Sequence, residues 1–232
     1  RPLRAGNYNK LMSSTRIRRA GRKTGPKPRF TREDVINAAV ELGIDRFTLG
    51  AVAAKLGIAT SAMYRLFDSR DALVDACLAQ AAAEIGMIML DDELPWPELL
   101  RNWAETTWNI CEKYPGLDIT IFQYTQSFSH VRGFTQHAMG ILMAQGFARS
   151  EALFALDFIG DTVLATHIGM SAMRHSPEGM DIVRRTITEL SAETLLDNKD
   201  HWNAQRGFLD AKVEFIIAGL RQQLGQRATD KT

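Results

Sequence analysis

The segment from Thr48 to Phe67, TLGAVAAKLGIATSAMYRLF, constrains the fold more than any other part of the chain. Thr48 is a favoured residue at a helix N-cap. The apolar positions after it recur at the spacing of one helical face over about two turns, namely Leu49, Val52, Ala53 and Leu56. Gly57 suits the left-handed conformation that ends a helix, and Ile58 supplies the apolar contact that often follows. The pattern predicts two short helices joined by a tight glycine turn.

The second helix of this pair carries polar residues on its outer face. We expect Thr60 or Ser61 to cap it. Its core-facing residues are Met63, Leu66 and Phe67. Its outward residues are Ser61, Ala62, Tyr64 and Arg65. A helix of this kind can enter the major groove of DNA with its first turns. The alternative is an ordinary α-hairpin inside a larger helical core.

The flanking segments extend the pattern on both sides. Thr31 is predicted to cap a preceding helix that ends near Leu42-Gly43, and Asp68-Ser69 to open a longer one. The residues that carry a family resemblance are Val35, Ala38-Ala39, Thr48, Val52, Ala53, Leu56, Gly57, Met63-Tyr64-Arg65-Leu66-Phe67 and Ser69-Arg70-Asp71-Ala72-Leu73. On these residues, the span from about Phe30 to Gln80 resembles the DNA-binding domain of the tetracycline repressor family. The resemblance implies a helix-turn-helix that binds double-stranded DNA.

The same resemblance implies individual contacts. Tyr64 corresponds to a family tyrosine that contacts a phosphate, the alternative being a half-buried packing tyrosine. Arg70 stands where the family usually has a lysine, and its guanidinium could grip a phosphate with two hydrogen bonds. Arg65 could pair with the major-groove edge of guanine. The predicted DNA contacts are Lys27, Arg29, Thr48, Thr60, Ser61, Ala62, Tyr64, Arg65 and Arg70.

Positive charge is concentrated at the start of the chain. Residues 1–29 hold ten Lys or Arg and no Asp or Glu, whereas the remaining 203 residues hold 18 basic and 27 acidic ones. Such a polar segment, which also contains Gly and Pro, cannot bury enough apolar surface to fold alone. We expect a disordered arm that neutralises phosphates or enters the minor groove. The alternative is a solubilising tail.

Length and composition indicate two domains in an all-α fold. A chain of 232 residues, 45% of them hydrophobic, can form a DNA-reading domain over residues 30–78 and a core-bearing domain over residues 79–232. No uninterrupted apolar run approaches the length of a membrane span, and no apolar stretch of a secretion signal follows the basic segment. Cys77 and Cys111 are isolated, which favours a reducing cytoplasm with both thiols buried. We therefore expect a cytoplasmic protein without a membrane partner.

Helical periodicity continues through the second domain. Pro95-Trp96-Pro97 is predicted to break the chain before a helix that Tyr114-Pro115-Gly116 ends. Further helices are predicted over 130–145, 150–174, 180–197 and 203–224. The helix from Ser150 and the last helix are apolar on more than one face, which requires a second buried surface. A second copy of the chain would supply it, so we expect a homodimer.

The second domain also resembles the ligand-binding domain of the repressors for which the family is named. The matching residues are Trp96, Leu100, Arg101, Asn102, Ala104, Gln145-Gly146-Phe147, Glu151-Ala152-Leu153, Ala155-Leu156, Gly160 and Phe215-Ile216-Ile217-Ala218-Gly219-Leu220. The resemblance implies a dimer through the eighth and tenth helices, a palindromic operator and a small-molecule effector. Gly86, Trp103 and Thr107 replace the residues that bind the drug, and Ile121 replaces a magnesium-binding histidine. Magnesium-tetracycline is therefore not the expected effector.

A mostly apolar cavity with a few polar groups is predicted instead. Its expected lining is Trp103, Thr107, Ile110, Phe122, His137, Ile141, Asp161 and Met170, with ordinary core packing as the alternative at each position. The histidines have no HExxH or His-x3-His spacing, so no metal site is expected. Asp157 and Asp161 are four residues apart and could form an acid–base pair, but hydrogen bonds across the dimer or in the cavity are favoured.

These patterns together predict a ligand-responsive, homodimeric transcriptional repressor without cofactor, metal or enzymatic activity. The mechanism implied by the resemblance is that the ligand tilts the fourth helix and changes the distance between the two recognition helices. One alternative is an α-helical enzyme or ligand carrier whose helix-turn-helix is a packing hairpin. Another is a DNA-binding protein whose second domain serves only to dimerise.

Overall fold

The computed structural model describes residues 30–88, 93–176, 178–193 and 205–229, and these residues form helices without a β-strand. The helices are α1 (Arg32–Leu42), α2 (Leu49–Leu56), α3 (Thr60–Met63), α4 (Arg70–Ile88), α5 (Trp96–Lys113), α6 (Leu117–Gln123), α7 (Ser127–Ala144), α8 (Arg149–Arg174), α9 (Gly179–Glu193) and α10 (Leu209–Thr229). The predicted all-α fold class is confirmed. The predicted arm of residues 1–29, with Lys27 and Arg29, lies outside the described residues.

The ends of α1 and α2 follow local sequence signals. Thr31 and Asp34 form a capping box, in which the Thr31 hydroxyl accepts from the Asp34 N–H and the Asp34 carboxylate accepts from the Thr31 N–H. Thr48 caps α2 by accepting from the Ala51 N–H at 3.1 Å. Gly57 ends α2 in the left-handed conformation, at φ 65°. These predictions are confirmed.

The predicted cap of α3 is wrong. Thr60 is already the first helical residue, and the extended N-cap position falls on Ala59, which makes no side-chain cap bond. The helix is a single turn, and around it Ala62 and Arg65 donate backbone hydrogen bonds to carbonyls only three residues back, as in a 3₁₀ turn. The hydroxyls of Thr60 and Ser61 therefore lie one and two positions too late to cap this helix.

The first domain closes around a small apolar core under the helix-turn-helix. Val35, Val52, Met63 and Phe67 are almost fully buried there, together with Phe47 from the α1–α2 loop. Helix α4 packs on α1 and continues into the second domain, so the predicted domain boundary between residues 78 and 79 falls within one helix. Ser69 opens α4 as predicted, because its hydroxyl accepts from the Ala72 N–H.

In the second domain, α8 is the central helix and packs against α5, α6, α7 and α10. The closest pairing is with α5, where Trp103 Nε1 donates to the Leu156 carbonyl at 2.9 Å and lies beside Gly160. By length and composition alone, α8 could also cross a membrane, which its interrupted apolar pattern had not indicated. Its buried residues pack into the core of the domain.

Two helices differ from the periodic pattern. Helix α6 had not been predicted; it is only seven residues long and starts directly after Gly116, which has a φ of 82°. Helix α10 begins at Leu209 instead of residue 203, because Gly207 takes a left-handed φ of 60° just before it. Residues 194–204, which include the predicted end of α9, lie outside the described residues. The other predicted helices of this domain are confirmed to within a few residues.

Candidate functional site

Helix α3 and the turn directly after it carry five of the nine predicted DNA contacts, Thr60, Ser61, Ala62, Tyr64 and Arg65. Ser61, Tyr64 and Arg65 are exposed, and 54% of Tyr64 is accessible. Met63, between Ser61 and Tyr64, and Phe67, two residues after Arg65, are buried and anchor the turn in the core. Thr48 and Thr60 are also exposed, whereas Ala62 is half-buried. This surface offers hydroxyl, phenol and guanidinium groups, the groups that contact phosphates and base edges.

Arg32, which the sequence analysis did not single out, contacts the turn after α3. Its Nη1 donates to the Leu66 carbonyl at 2.8 Å, and its guanidinium lies 4.0 Å from the centre of the Phe67 ring. A cation in the first turn of a helix gains nothing from the helix dipole. The partners of Arg32 are about 35 residues away in sequence, so no local pattern indicated them.

Arg70 points into the protein. Its Nε donates to the Phe47 carbonyl, its Nη2 to the carbonyls of Ile44 and Asp45, and its Nη1 to the Tyr124 hydroxyl, at 2.9 to 3.1 Å. These four bonds leave at most one of the five guanidinium N–H groups, so the predicted two-bond contact with a phosphate would require an exchange of at least one of them. The predicted DNA contact of Arg70 therefore competes with a built-in structural role.

The eight predicted ligand residues occupy three different settings. Thr107, Ile110, Ile141 and Met170 are buried in the core, whereas Phe122, His137 and Asp161 are exposed. Trp103 is half-buried, and its ring centroid lies 5.5 Å from that of Phe134. Ligand binding by these residues stays a prediction.

A cleft of about 480 Å³ lies between the α1–α2 loop and the adjacent ends of α5, α6 and α8. Its wall includes Asp45 and Arg46 from the first domain and Glu112, Asp118, His167 and Arg174 from the second. The cleft is therefore built from both domains.

A buried polar network forms one side of this cleft. His167 Nδ1 lies 2.6 Å from Asp118 Oδ2, and its Nε2 lies 3.4 Å from Glu112 Oε1, which accepts from Arg174 at 2.7 Å. Burial by itself raises the pKa of Asp118, but hydrogen bonds from His167 and from the Ile119 N–H outweigh it and hold the pKa below 3.8. The network thus keeps an ionised carboxylate in the interior of the second domain.

Reactive chemistry has little support in the described part of the chain. Burial raises the pKa of the Cys77 thiol to about 12 and also raises that of Cys111, so both are poor nucleophiles. Burial raises the pKa of Asp161, and the negative charge of Asp157 adds to this effect. Among the described residues, no group of three or more His, Cys, Asp or Glu side chains could hold a metal ion.

Large apolar side chains are exposed on α8 and α10. Phe154 and Phe158 on α8 have ring centroids 5.4 Å apart, and Leu153 is exposed beside them in sequence. On α10, 82% of Phe215 is accessible. Phe158 and Phe215 line the same groove between the two helices. An exposed apolar surface of this kind is typical of a protein–protein interface.

Comparison with known proteins bears on both domains. Residues 36–77 match the model of the family described as bacterial regulatory proteins, tetR family. This match spans most of α1, all of α2 and α3, and the first part of α4. No curated protein matches the sequence.

Solved structures match nearly the whole chain at low identity. Apo ActR from Streptomyces coelicolor has a TM-score of 0.67 at 16% identity, over 87% of this chain and 100% of that one. TetR from Acinetobacter baumannii AYE has a TM-score of 0.57 at 20% identity, over 84% of this chain and 98% of that one. A glutamine-to-alanine variant of TetR from the same organism, in complex with minocycline, gives 0.55 at 20% identity over the same shares.

The family match covers the helix-turn-helix whose exposed surface is described above, and the solved structures extend the shared fold through the second domain. Residues 36–77 therefore match the DNA-binding domain of the tetR family of bacterial regulatory proteins, and the second domain shares the fold of the solved TetR structures, which together support a DNA-binding transcriptional regulator.

Proposed function

We propose that the protein is a homodimeric repressor that leaves a palindromic operator when a small molecule binds its second domain, and that it acts in the cytoplasm. The observation that carries this proposal is the exposed apolar face of α8 and α10 on a chain with one helix-turn-helix in its described part. One such unit contacts one half-site, so a specific operator complex needs a second copy. A two-fold dimer through this face would supply it.

The proposed base and phosphate contacts come from the surface around α3. We assign Tyr64 and Thr48 to phosphates, and Ser61 and Arg65 to base edges, because these side chains are exposed on the recognition unit. Thr60 and Ala62 complete the surface. The hydroxyl of Thr48 accepts the Ala51 N–H, and its own proton stays available to a phosphate.

The effector is proposed to differ from a magnesium-bound tetracycline. A structural relative has been solved with minocycline, but Gly86, Trp103 and Thr107 stand here where the resemblance places drug-binding residues. Trp103 also gives its N–H to the Leu156 carbonyl and Thr107 its hydroxyl to the Trp103 carbonyl, so neither donor is free for a ligand.

A second candidate function keeps DNA binding but makes the second domain a dimerisation module. It is favoured by the burial of Ile110, Ile141 and Met170 in the core, where a cavity had been predicted. A thermal-shift screen of small molecules separates the two functions. Compounds that raise the unfolding temperature and release operator DNA support the effector-responsive repressor.

The first test of the proposal is selection of bound sequences from a random duplex library with the purified protein. We expect a palindrome with two half-sites about one helical turn apart or somewhat more. Recovery of only sequence-independent, salt-sensitive binding would contradict operator recognition. Release of the selected operator by a compound from the screen would then establish the repressor mechanism.

The dimer is tested by Phe215→Glu. A charge in the centre of the proposed interface should weaken association at least about 30-fold, the effect of losing an interface hot spot of roughly 2 kcal/mol. Phe128→Glu on α7 is the matched control, since Phe128 is also exposed but lies on a different helix. Sedimentation equilibrium reads out both variants. Dimers of equal affinity would exclude this face as the interface.

A further inference from the structure

The α1–α2 loop of the first domain, residues 43–48, rests directly on the α5–α6 turn of the second domain, residues 114–116. The Ile44 N–H donates to the Pro115 carbonyl at 2.8 Å. Asp45 packs so closely on Gly116 that a Cβ at position 116 would collide with its carboxylate and its backbone nitrogen. The two domains therefore meet at this loop as well as along the continuous helix α4.

Arg70 ties this loop to the first turn of α4. Three of its hydrogen bonds go to the carbonyls of Ile44, Asp45 and Phe47, at 3.1, 2.9 and 3.0 Å. Its guanidinium also lies 4.9 Å from the centre of the Phe47 ring. The loop that precedes α2 is thus held by one side chain from the helix that follows α3. Helices α2 and α3, which form the helix-turn-helix, lie in sequence between this loop and Arg70.

Tyr124 connects this assembly to the second domain. It stands at the end of α6, and its hydroxyl accepts from Arg70 Nη1 and donates to Asp71 Oδ1, both at 2.9 Å. Burial and the hydrogen bond to Asp71 raise the pKa of this hydroxyl, so it keeps the proton that it donates. One phenol therefore contacts both residues that begin α4.

We propose that Tyr124 is a positioning residue that fixes the orientation of the helix-turn-helix relative to the second domain. Its ring belongs to the second domain, whereas both of its partners belong to the helix that leaves the recognition turn. A shift of the end of α6 would act on Arg70 and, through its three carbonyl contacts, on the loop before α2. The inference rests on the proposed function, because the orientation matters only if two helix-turn-helix units must fit two half-sites.

The test is Tyr124→Phe, which removes both hydrogen bonds and keeps the ring and the Arg70 guanidinium. Tyr114→Phe is the matched control. Tyr114 also bonds to α4 through its hydroxyl, with Glu84 at 3.0 Å and Gln80 at 3.3 Å, but far along the helix from the recognition turn. The dissociation constant is measured on the selected operator and on operators with one base pair added or removed between the half-sites.

We expect Tyr124→Phe to bind the best-spaced operator about three- to tenfold more weakly, the range for the loss of a net hydrogen bond. The spacing penalty is the affinity that is lost when one base pair is added or removed between the half-sites. It should be smaller for Tyr124→Phe than for the wild type, because the two helix-turn-helix units of the dimer are less firmly fixed. A purely structural or DNA-contacting residue would not alter this spacing penalty. Tyr114→Phe should retain both the affinity and the penalty.

Wild-type affinity and spacing penalty in a folded Tyr124→Phe variant would overturn the inference while leaving the proposed repressor intact. Absence of any selected operator for the wild type would instead refute the proposed function. Should Tyr124→Phe fail to fold, Asp71→Ala removes one of the two bonds and keeps the tyrosine. It is expected to shift both quantities in the same direction, and wild-type values for it would overturn the inference.

Discussion

At the scale of single residues, Gly116 and Gly160 differ in whether a larger side chain could replace them. Gly116 has a φ of 82° and lies against Asp45, whereas Gly160 is inside α8 with Trp103 Nε1 3.7 Å from the position of an added Cβ. Gly116→Ala should lower the free energy of unfolding by about 1–3 kcal/mol, because alanine is strained at positive φ. Gly160→Ala should be neutral or raise it by up to about 1 kcal/mol. Urea unfolding of both variants checks this, and equal stabilities would contradict it.

The buried Asp118 predicts a pH dependence of stability. Its folded pKa lies below 3.8, so the stability it contributes is present above that value and is lost as the pH falls through the folded pKa. Asp118→Asn should lower the free energy of unfolding by roughly 1–3 kcal/mol at pH 7, since it weakens a buried hydrogen bond to His167. The difference from the wild type should shrink as the pH falls below the ordinary pKa of an aspartate.

Urea unfolding from neutral to acidic pH measures this difference. Asp161→Asn is the control of opposite sign, because the pKa of Asp161 is raised by burial and by the charge of Asp157. Removal of that carboxylate should leave stability at neutral pH unchanged or higher. A difference between Asp118→Asn and wild type that stays constant with pH would contradict the role assigned to Asp118.

At the scale of helices, Thr48 and Thr60 differ in that only Thr48 caps a helix. Thr48 accepts the Ala51 N–H at the start of α2, whereas Thr60 is already inside α3. Thr48→Ala should therefore lower the free energy of unfolding by about 1 kcal/mol. Thr60→Ala should change it by less than about 0.5 kcal/mol. Thermal unfolding compares the two variants. An equal loss of stability in both would contradict the assignment of Thr60 as a residue that does not cap α3.

The ends of some helices could be predicted from the sequence, and the ends of others could not. The ends of α1 and α2 depend on local residues, a threonine cap and a glycine stop, and these act within one turn of the chain. The start of α10 depends on the left-handed turn at Gly207, where an added Cβ would lie 3.1 Å from the Met170 sulfur of α8. That neighbour is distant in sequence, so no local pattern could indicate it.

At the scale of the whole molecule, the uneven charge predicts a salt effect on DNA binding. Deletion of residues 1–29 removes ten basic residues and no acidic ones. We expect weaker operator binding and a shallower dependence of affinity on salt, by about 0.9 in the logarithmic slope for each phosphate that the arm no longer neutralises. Titrations at several salt concentrations measure both quantities. An unchanged affinity and slope would show that the helix-turn-helix alone supplies the electrostatic contribution.

The sequence by itself determined the all-α fold, the helix-turn-helix between Thr48 and Phe67, and the exposed residues Ser61, Tyr64 and Arg65. Each of these follows from periodicity, caps and a glycine stop, which are properties of neighbouring residues. Tertiary structure decided which polar side chains turn inward. Arg70 bonds to a loop about 25 positions earlier and to Tyr124, 54 positions later. His167 likewise meets Asp118, 49 positions away. These contacts exist only after the chain has closed, because long-range packing and not local pattern sets the partner of a buried charge.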